Sequence, residues 1–354
     1  MAQVTIREVA RAAGVSIASV SDILSDTPRC SYRADTVARV RDAASRTGYR
    51  PHAMARSLRS GTTNFVGVAL GAGVAPLISS LVVNIRHALA RHGFQPMLVD
   101  FSRLDPARDD ASALPMHMLA GLISADLSLE QDGSALPGVA GECPIVAVYP
   151  TSRIDVDCVT TDRTRAVEMA AGHLVELGHS RIAFGQMANP THPVNEPKVR
   201  GWKNVRERHG IDPDGRYTVS LPIGLSGTEA YARYFADALC RMDPPPSAFI
   251  SMSDDVALAT IGILSSRGWR IPENLSVVGF DGVFYGRFVW PALTTISQPL
   301  ELIAESAAAR LETLIRERRS GETAAPAHQF VEPELVVRSS TLPFASWKPF
   351  RADR

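Results

Sequence analysis

Cysteine is scarce in this chain. Four cysteines stand far apart, at 30, 143, 158 and 240 of 354 residues, with no CxxC pair. That excludes a zinc framework of paired thiolates and a secreted disulfide scaffold. An apolar signal core is missing as well, because MAQVTIREVARAAG carries charge through its first turns. The expectation is a reduced, cytoplasmic protein. Long hydrophobic runs are limited to FVGVALGAGVAPLISSLVV, inside the charge-free interval between Arg59 and Arg86. Gly71, Gly73, Pro76 and the Ser79–Ser80 pair make it a buried strand, a turn and an amphipathic helix rather than a membrane span.

Enzyme signatures are also lacking. There is no P-loop, and GLSG at 224–227 is not GxSxG. GAG at 71–73 lacks the third glycine of a dinucleotide loop. His173 and His179 bracket Glu176 without the HExxH spacing, so structural histidines are expected rather than metal ligands. The reading is no catalytic residue, no metal and no cofactor.

Net charge is zero, with 37 basic and 37 acidic side chains, but it is unevenly spread. Residues 1–61 contain no lysine, ten arginines and five acids, which leaves the rest of the chain mildly acidic. A basic head on an acidic body points to an anionic partner for the head alone.

The head reads as helices. Thr5 with Glu8 three residues on forms a capping box, and Ile6, Val9 and Ala10 mark one face. Gly14 supplies the turn and Ser16 caps a second helix, whose Val20, Ile23 and Leu24 face the first. Two short helices around a glycine are a helix-turn-helix. A third helix is expected from Thr36, with Val37, Val40 and Ala44 inward, ending before Gly48. RPHAMARSLRSGTTN would be a helix too short to hold alone, carrying Arg56 and Arg59 toward phosphates.

Beyond the head, FVGVAL, PMLVD, GLIS and PIVAVY read as strands of one parallel sheet, and RIAFG, YTVSL, AFISM and LSVVGFD as strands of a second. Helices over 76–92, 163–177, 226–241 and 254–267 lie between them, an α/β pattern repeated twice. Ligands collect beyond the carboxyl ends of parallel strands. Segments leaving such ends carry Asn189, His192, Lys198, Asp254 and Asp281, facing a cleft between two lobes. Carboxylates accept hydroxyl hydrogens, so a sugar or polyol suits the cluster.

VTIREVARAAGVSIASVSDIL and TVARVRDAASRTGYRPHAMARSLRSGTTNFVGVAL, followed by HLVELGHSRIAF, SDDVALATIGILSSRGWRIPENLSVVGFD, WPALTTISQPL and PELVVRSST, resemble the LacI/GalR family of bacterial transcription regulators. The resemblance covers nearly all of residues 4–341. It implies a helix-turn-helix domain over 1–50 and a hinge helix and linker over 51–63. It also implies a core over 64–341 of two periplasmic-binding-protein-like subdomains, about 64–161 plus 295–321 and about 162–294 plus 322–341, and a tail over 342–354. It implies a homodimer on double-stranded operator DNA, a repressor whose affinity is set by a small-molecule effector, and no membrane partner. A sugar-binding protein without DNA reading is the alternative.

By resemblance the DNA-binding residues are Thr5, Ser16, Ile17, Ala18, Ser19, Ser21, Asp22, His52, Arg56 and Leu58, with Leu58 as a minor-groove wedge. The effector residues are Pro76, Leu77, Asn189, Lys198, Asp254, Asp281 and Gln298. Several positions depart from the family. Asp22 stands where arginine is frequent. It either accepts from a cytosine amino group or turns aside to pair with a neighbouring arginine. Ile17 and Ala18 replace a polar pair and suit thymine methyls. His52 replaces asparagine, Lys198 replaces arginine, and Asp254 replaces the asparagine of an ND pair. The extra negative charge at Asp254 argues against an acidic effector and allows a cationic one. Ala75, Leu77 and Ile78 replace an asparagine and two aromatics, which weakens aromatic stacking on a sugar there, and Tyr149–Pro150 stands where a polar or acidic residue is frequent.

Overall fold

Thr5 opens the first helix, α1 (Ile6–Ala13), and its backbone N–H donates to Glu8 Oε2 at 2.7 Å. Gly14 ends that helix at φ 66°, a left-handed conformation that a side chain would strain. In α2 (Ile17–Ile23), Ser16 Oγ accepts the Ser19 N–H at 3.0 Å. The third helix, α3 (Ala34–Thr47), begins two residues before Thr36, because the Arg33 carbonyl already accepts from the N–H groups of Thr36 and Val37. Val9, Ala10, Ala13, Val20, Ile23, Val40, Ala43 and Ala44 close one core among the three helices. Burying each of the Val and Ile side chains contributes about 1.5–3 kcal/mol. The alanines let the helices approach closely enough for that.

This computed structural model describes residues 4–24, 30–49, 63–70, 76–100, 118–125, 143–151, 155–189, 191–192, 195–322 and 325–350. It divides into a head, Met1–Asn64, and a body, Phe65–Arg354. The hinge expected over 51–63, with His52, Arg56 and Leu58, lies outside the described residues except for Thr63. So does the glycine-rich turn at 71–75.

The body alternates strand and helix in chain order. It starts with β1 (Phe65–Leu70), α4 (Pro76–Arg91), β2 (Gln95–Asp100), β3 (Gly121–Ser124), β4 (Ile145–Ala147) and β5 (Asp157–Thr161). It continues with α5 (Arg163–Glu176), β6 (Ile182–Gln186), α6 (Glu196–His209), β7 (Thr218–Ser220), α7 (Thr228–Arg241), β8 (Ala248–Ile250), α8 (Asp254–Ser266) and β9 (Ser276–Asp281). It ends with β10 (Thr294–Ser297), α9 (Leu300–Ser320), β11 (His328–Val331) and β12 (Glu334–Val336). One sheet has the order β11-β5-β4-β3-β1-β2 and the other β12-β10-β9-β8-β6-β7. All pairings are parallel except β10 with β12, where Thr295 faces Val336.

Strand pairing locates the three crossings between the lobes. The chain leaves the first sheet after Thr161. Thr295, expected at the second crossing, lies inside β10 of the second sheet, and the chain crosses after Ser297. Gly321, expected at the third, only ends α9 at φ 77°. The strand His328–Val331 then pairs with β5, so residues 328–331 belong to the first lobe and the chain crosses after Val331. Asp157 fixes that return. Its Oδ1 accepts from Arg310 Nε at 2.6 Å and from the Ala327 N–H at 3.0 Å.

α4 and α9 cover one face of the first sheet through Leu81, Ile85, Leu89, Ala304, Ala308 and Leu311. The second sheet is covered on both faces: Phe235, Phe249 and Leu264 pack on one side, and Leu174, Phe184 and Trp202 on the other. Residues 342–350 are docked on this second lobe. Trp347 Nε1 donates to the Asn274 carbonyl at 2.9 Å, and the Arg181 guanidinium lies 4.9 Å from the Trp347 ring centre. Phe350 stacks on Trp269 at 4.8 Å. Trp347→Ala should therefore cost about 1–3 kcal/mol. Urea unfolding checks this, and an unchanged midpoint would contradict a structural tail.

Candidate functional site

In the head, the start of α2 is presented outward. Ser16, Ile17 and Ala18 are exposed, and Ile17 keeps 39% of its surface although it is a large aliphatic in a small domain. Ser19, Ser21 and Asp22 are partly buried. Asp22 is turned toward its own chain: Oδ2 accepts the Cys30 N–H at 3.1 Å, and the carboxylate bonds the Tyr32 side chain. It thus ties α2 to the segment entering α3. Cys30 and Tyr32 are among its partners.

In the body, the carboxyl ends of β5 and β9 meet the amino ends of α5 and α6 where the chain first crosses between lobes. Lys198, on α6, places Nζ 3.6 Å from the centre of the Phe280 ring and donates to the Met252 carbonyl at 2.8 Å. Arg163, the first residue of α5, lies 5.8 Å from the same ring and 5.2 Å from Tyr149 of the first lobe. Asp281 follows Phe280, with φ 135°, a strained value for a residue with a side chain. Gly282 (φ 77°) follows at a place where a Cβ would strike Ser297. The turn therefore holds Asp281 in one orientation. Gln298 Nε2 donates to Asp281 Oδ1 at 2.8 Å, and Gln298 Oε1 accepts from Thr161 Oγ1 at 2.8 Å. This chain of bonds links β5 of one lobe to β9 of the other.

Of the expected effector residues, Lys198, Asp281 and Gln298 come together here. Asp254 does not join them as a ligand. It is wholly buried, its Oδ1 accepts from Thr295 Oγ1 at 2.5 Å, and its Oδ2 accepts from the Val283 N–H at 2.8 Å. It braces the turn that carries Asp281. Leu77 packs in the core of the first lobe, and Pro76 opens α4. Asn189 is exposed and forms its own loop, accepting from Thr191 Oγ1 at 2.8 Å. Among the described residues, no bond connects Pro76, Leu77 or Asn189 to the cluster. The sequence reading missed Arg163. The available signal was its position immediately beyond the carboxyl end of β5, the same rule that selected the other four segments.

Burial shapes the electrostatics. Desolvation pushes Lys198 down to about 7, with Arg163 adding repulsion, and pushes Asp281 up to about 7 against the pull of Lys198. Desolvation also lowers Arg163. His179, buried between Ser247 Oγ and the Leu342 carbonyl at 2.9 Å each, is structural, as expected. A cleft of about 550 Å3 opens beside Arg163, lined by Thr160, Thr161, Asp162, Glu196, Arg200 and Phe330 among others.

Comparison with known proteins now bears on these two sites. The description "Bacterial regulatory proteins, lacI family" matches residues 5–52, and "Periplasmic binding protein-like domain" matches 171–341. The HTH-type transcriptional regulator DegA of Bacillus subtilis is 30% identical over 96% of this chain and 98% of its own. The chain belongs to the LacI family. It is a DNA-binding transcriptional repressor of that family and not an enzyme. The repressor CytR of Escherichia coli K12 is 28% identical over 95% of this chain and 96% of its own. Among solved structures, the Lac repressor dimer bound to operator and an anti-inducer shares the fold, with a TM-score of 0.79 at 23% identity over 96% of this chain and all of that one. The regulator CelR in complex with cellobiose gives a TM-score of 0.66 at 25% identity over the same shares. Among the described residues, no helix is long and apolar enough to cross a membrane.

The opposed shifts in the LacI-family cleft set a pH dependence. Asp281 rises from 3.8 to about 7, so the folded state binds more protons and stability falls as pH rises across that interval. Lys198 drops from 10.5 to about 7, so the folded state binds fewer protons and stability recovers as pH rises from about 7 toward 10.5. Thermal melts of the ligand-free protein should show a local minimum of this contribution near neutrality. Lys198→Met should flatten the alkaline side. Parallel curves for wild type and variant would contradict the assignment.

Proposed function

We propose that this chain is a homodimeric, cytoplasmic repressor whose affinity for a pseudo-palindromic operator is set by a small-molecule effector, a sugar or related polyol, bound between the lobes. The observation carrying this reading is the bonded path Thr161–Gln298–Asp281 across the lobe junction, beside an open cleft. A ligand on Asp281 shifts the balance between lobe arrangements, and that shift changes how the paired segments over 51–63 order on DNA. The coupling is reciprocal, so operator binding alters effector affinity by the same factor.

The exposed start of α2 supports Ile17 and Ala18 as readers of thymine methyls in the major groove, with Ser16, Ser19 and Ser21 beside them. Thr5 is a phosphate contact, and Arg56 and Leu58 act from the hinge with His52. Asp22 acts by holding the reading helix to the segment before α3. Selection of bound sequences from random duplexes by the full-length protein should enrich a palindrome, with affinity falling steeply as salt rises. Ile17→Ala should relax one position symmetrically in both half-sites. Loss of selection at every position, or no enrichment, would contradict this reading.

A second copy of the chain is supported by an exposed aromatic group on the second lobe: Phe284, Phe288 and Trp290, the last 89% exposed. Surface of this kind, large and apolar, marks an interface. Trp290→Asp should turn a dimer into a monomer in sedimentation velocity and weaken operator binding. A variant still dimeric would remove this face from the interface.

A further inference from the structure

Arg163 and Lys198 form an unusual pair. Both guanidinium and ammonium lie against the Phe280 ring, in a site where Arg163 keeps only 5% of its surface. Arg163 Nε is buried and has no hydrogen-bond partner. Among the described residues, neither cation has a carboxylate within ion-pair distance, although thirteen such pairs occur elsewhere in the head and body. A buried charge held without a direct ion pair is costly, and two of one sign side by side are more so.

The carboxylates nearby are committed. Asp162 Oδ1 caps α5 by accepting the Arg165 N–H at 2.9 Å. Glu196 accepts from Arg200 Nη1 at 3.0 Å with each oxygen. Asp254 is consumed by Thr295 and Val283. Asp281 has one oxygen on Gln298. The negative charge of Asp254 that the sequence set against an acidic effector is therefore turned inward, and of the arginines lining the cleft Arg163 is the one with no hydrogen-bonded or ion-paired carboxylate among the described residues.

We propose that the cleft takes an acid: a polyhydroxylated carboxylate, of the aldonate or uronate class, whose carboxylate meets Arg163, with Lys198 behind it across the Phe280 ring, and whose hydroxyls meet the polar groups lining the cleft, Thr160, Thr161 and Glu196 among them. The planar fork of Arg163 suits a carboxylate with two parallel bonds, and Lys198 adds a point charge. This inference rests on the effector reading above and narrows its ligand class.

The test uses the full-length protein, with calorimetric titration and operator binding measured side by side. The probes are D-gluconate, D-glucuronate and D-galacturonate, each against its uncharged counterpart, D-glucitol, D-glucose and D-galactose. At least one acid should bind at least about tenfold more tightly than its counterpart and change operator affinity. Arg163→Met should abolish that preference while leaving DNA binding intact. Arg163→Lys should restore part of it, having charge without the fork. A neutral sugar that binds and changes operator affinity, with no acid doing so, overturns the acid proposal and leaves the effector reading standing. Acid binding unchanged in Arg163→Met overturns it too, as does a protein that holds operator and binds none of the three acids. A protein that binds no operator DNA under any condition instead sinks the repressor reading on which this rests.

Discussion

Two cations packed on one phenylalanine, neither in a direct ion pair and both within the field of Asp281, are the constraint around which the body of this protein is arranged. Arg163 and Lys198 flank Phe280 at the point where the chain first passes between lobes. A fold selected for stability alone would pair them or replace them with apolar side chains. Here the surroundings do the opposite. Asp254 is bonded inward, Glu196 is drawn off by Arg200, and Asp281 is held by Gln298 at a strained backbone angle. The site is polarised and waits for a partner, which is the condition of a receptor whose ligand shifts an equilibrium.

That arrangement depends on the interlaced topology. Asp281 and Phe280 end a strand of the second lobe, Tyr149 follows a strand of the first, and Arg163 opens the helix immediately after the first crossing. The Thr161–Gln298–Asp281 bonds join β5, the segment after β10 and the end of β9. Any ligand that moves Asp281 therefore pulls on two of the three crossings. A movement confined to one lobe would break those bonds, so the two lobes share whatever change the cleft undergoes.

Much of this was legible in the sequence, for reasons tied to particular residues. The head was readable because capping and periodicity agree: Thr5 with Glu8, Gly14, Ser16, and the apolar 9, 20, 40 and 44 positions all point to the same three helices. The strands of both sheets were readable as short apolar runs. What escaped was set by tertiary pairing. HQFV at 328–331 is a brief, largely exposed edge strand, and only its register on β5 assigns it to the first lobe. Gly321 marks the end of a helix, which looks the same in sequence as the end of a lobe. Asp254 and Asp281 look equivalent as residues beyond strand ends. The hydroxyl of Thr295 and the N–H of Val283 make one a brace, while the other bonds Gln298 at the lobe junction. Arg163 was hidden among 34 arginines whose burial no local pattern distinguishes.

The most direct measurement is the melting temperature of ligand-free Arg163→Met against wild type. If Arg163 is a buried charge kept for a ligand, replacing it with an apolar side chain of similar length removes an uncompensated cation and raises the melting temperature. If Arg163 instead serves the fold through its contacts with Tyr149 and Phe280, the variant melts lower, as an ordinary loss of core packing would, and the account of a cleft charged in wait of an acid is wrong.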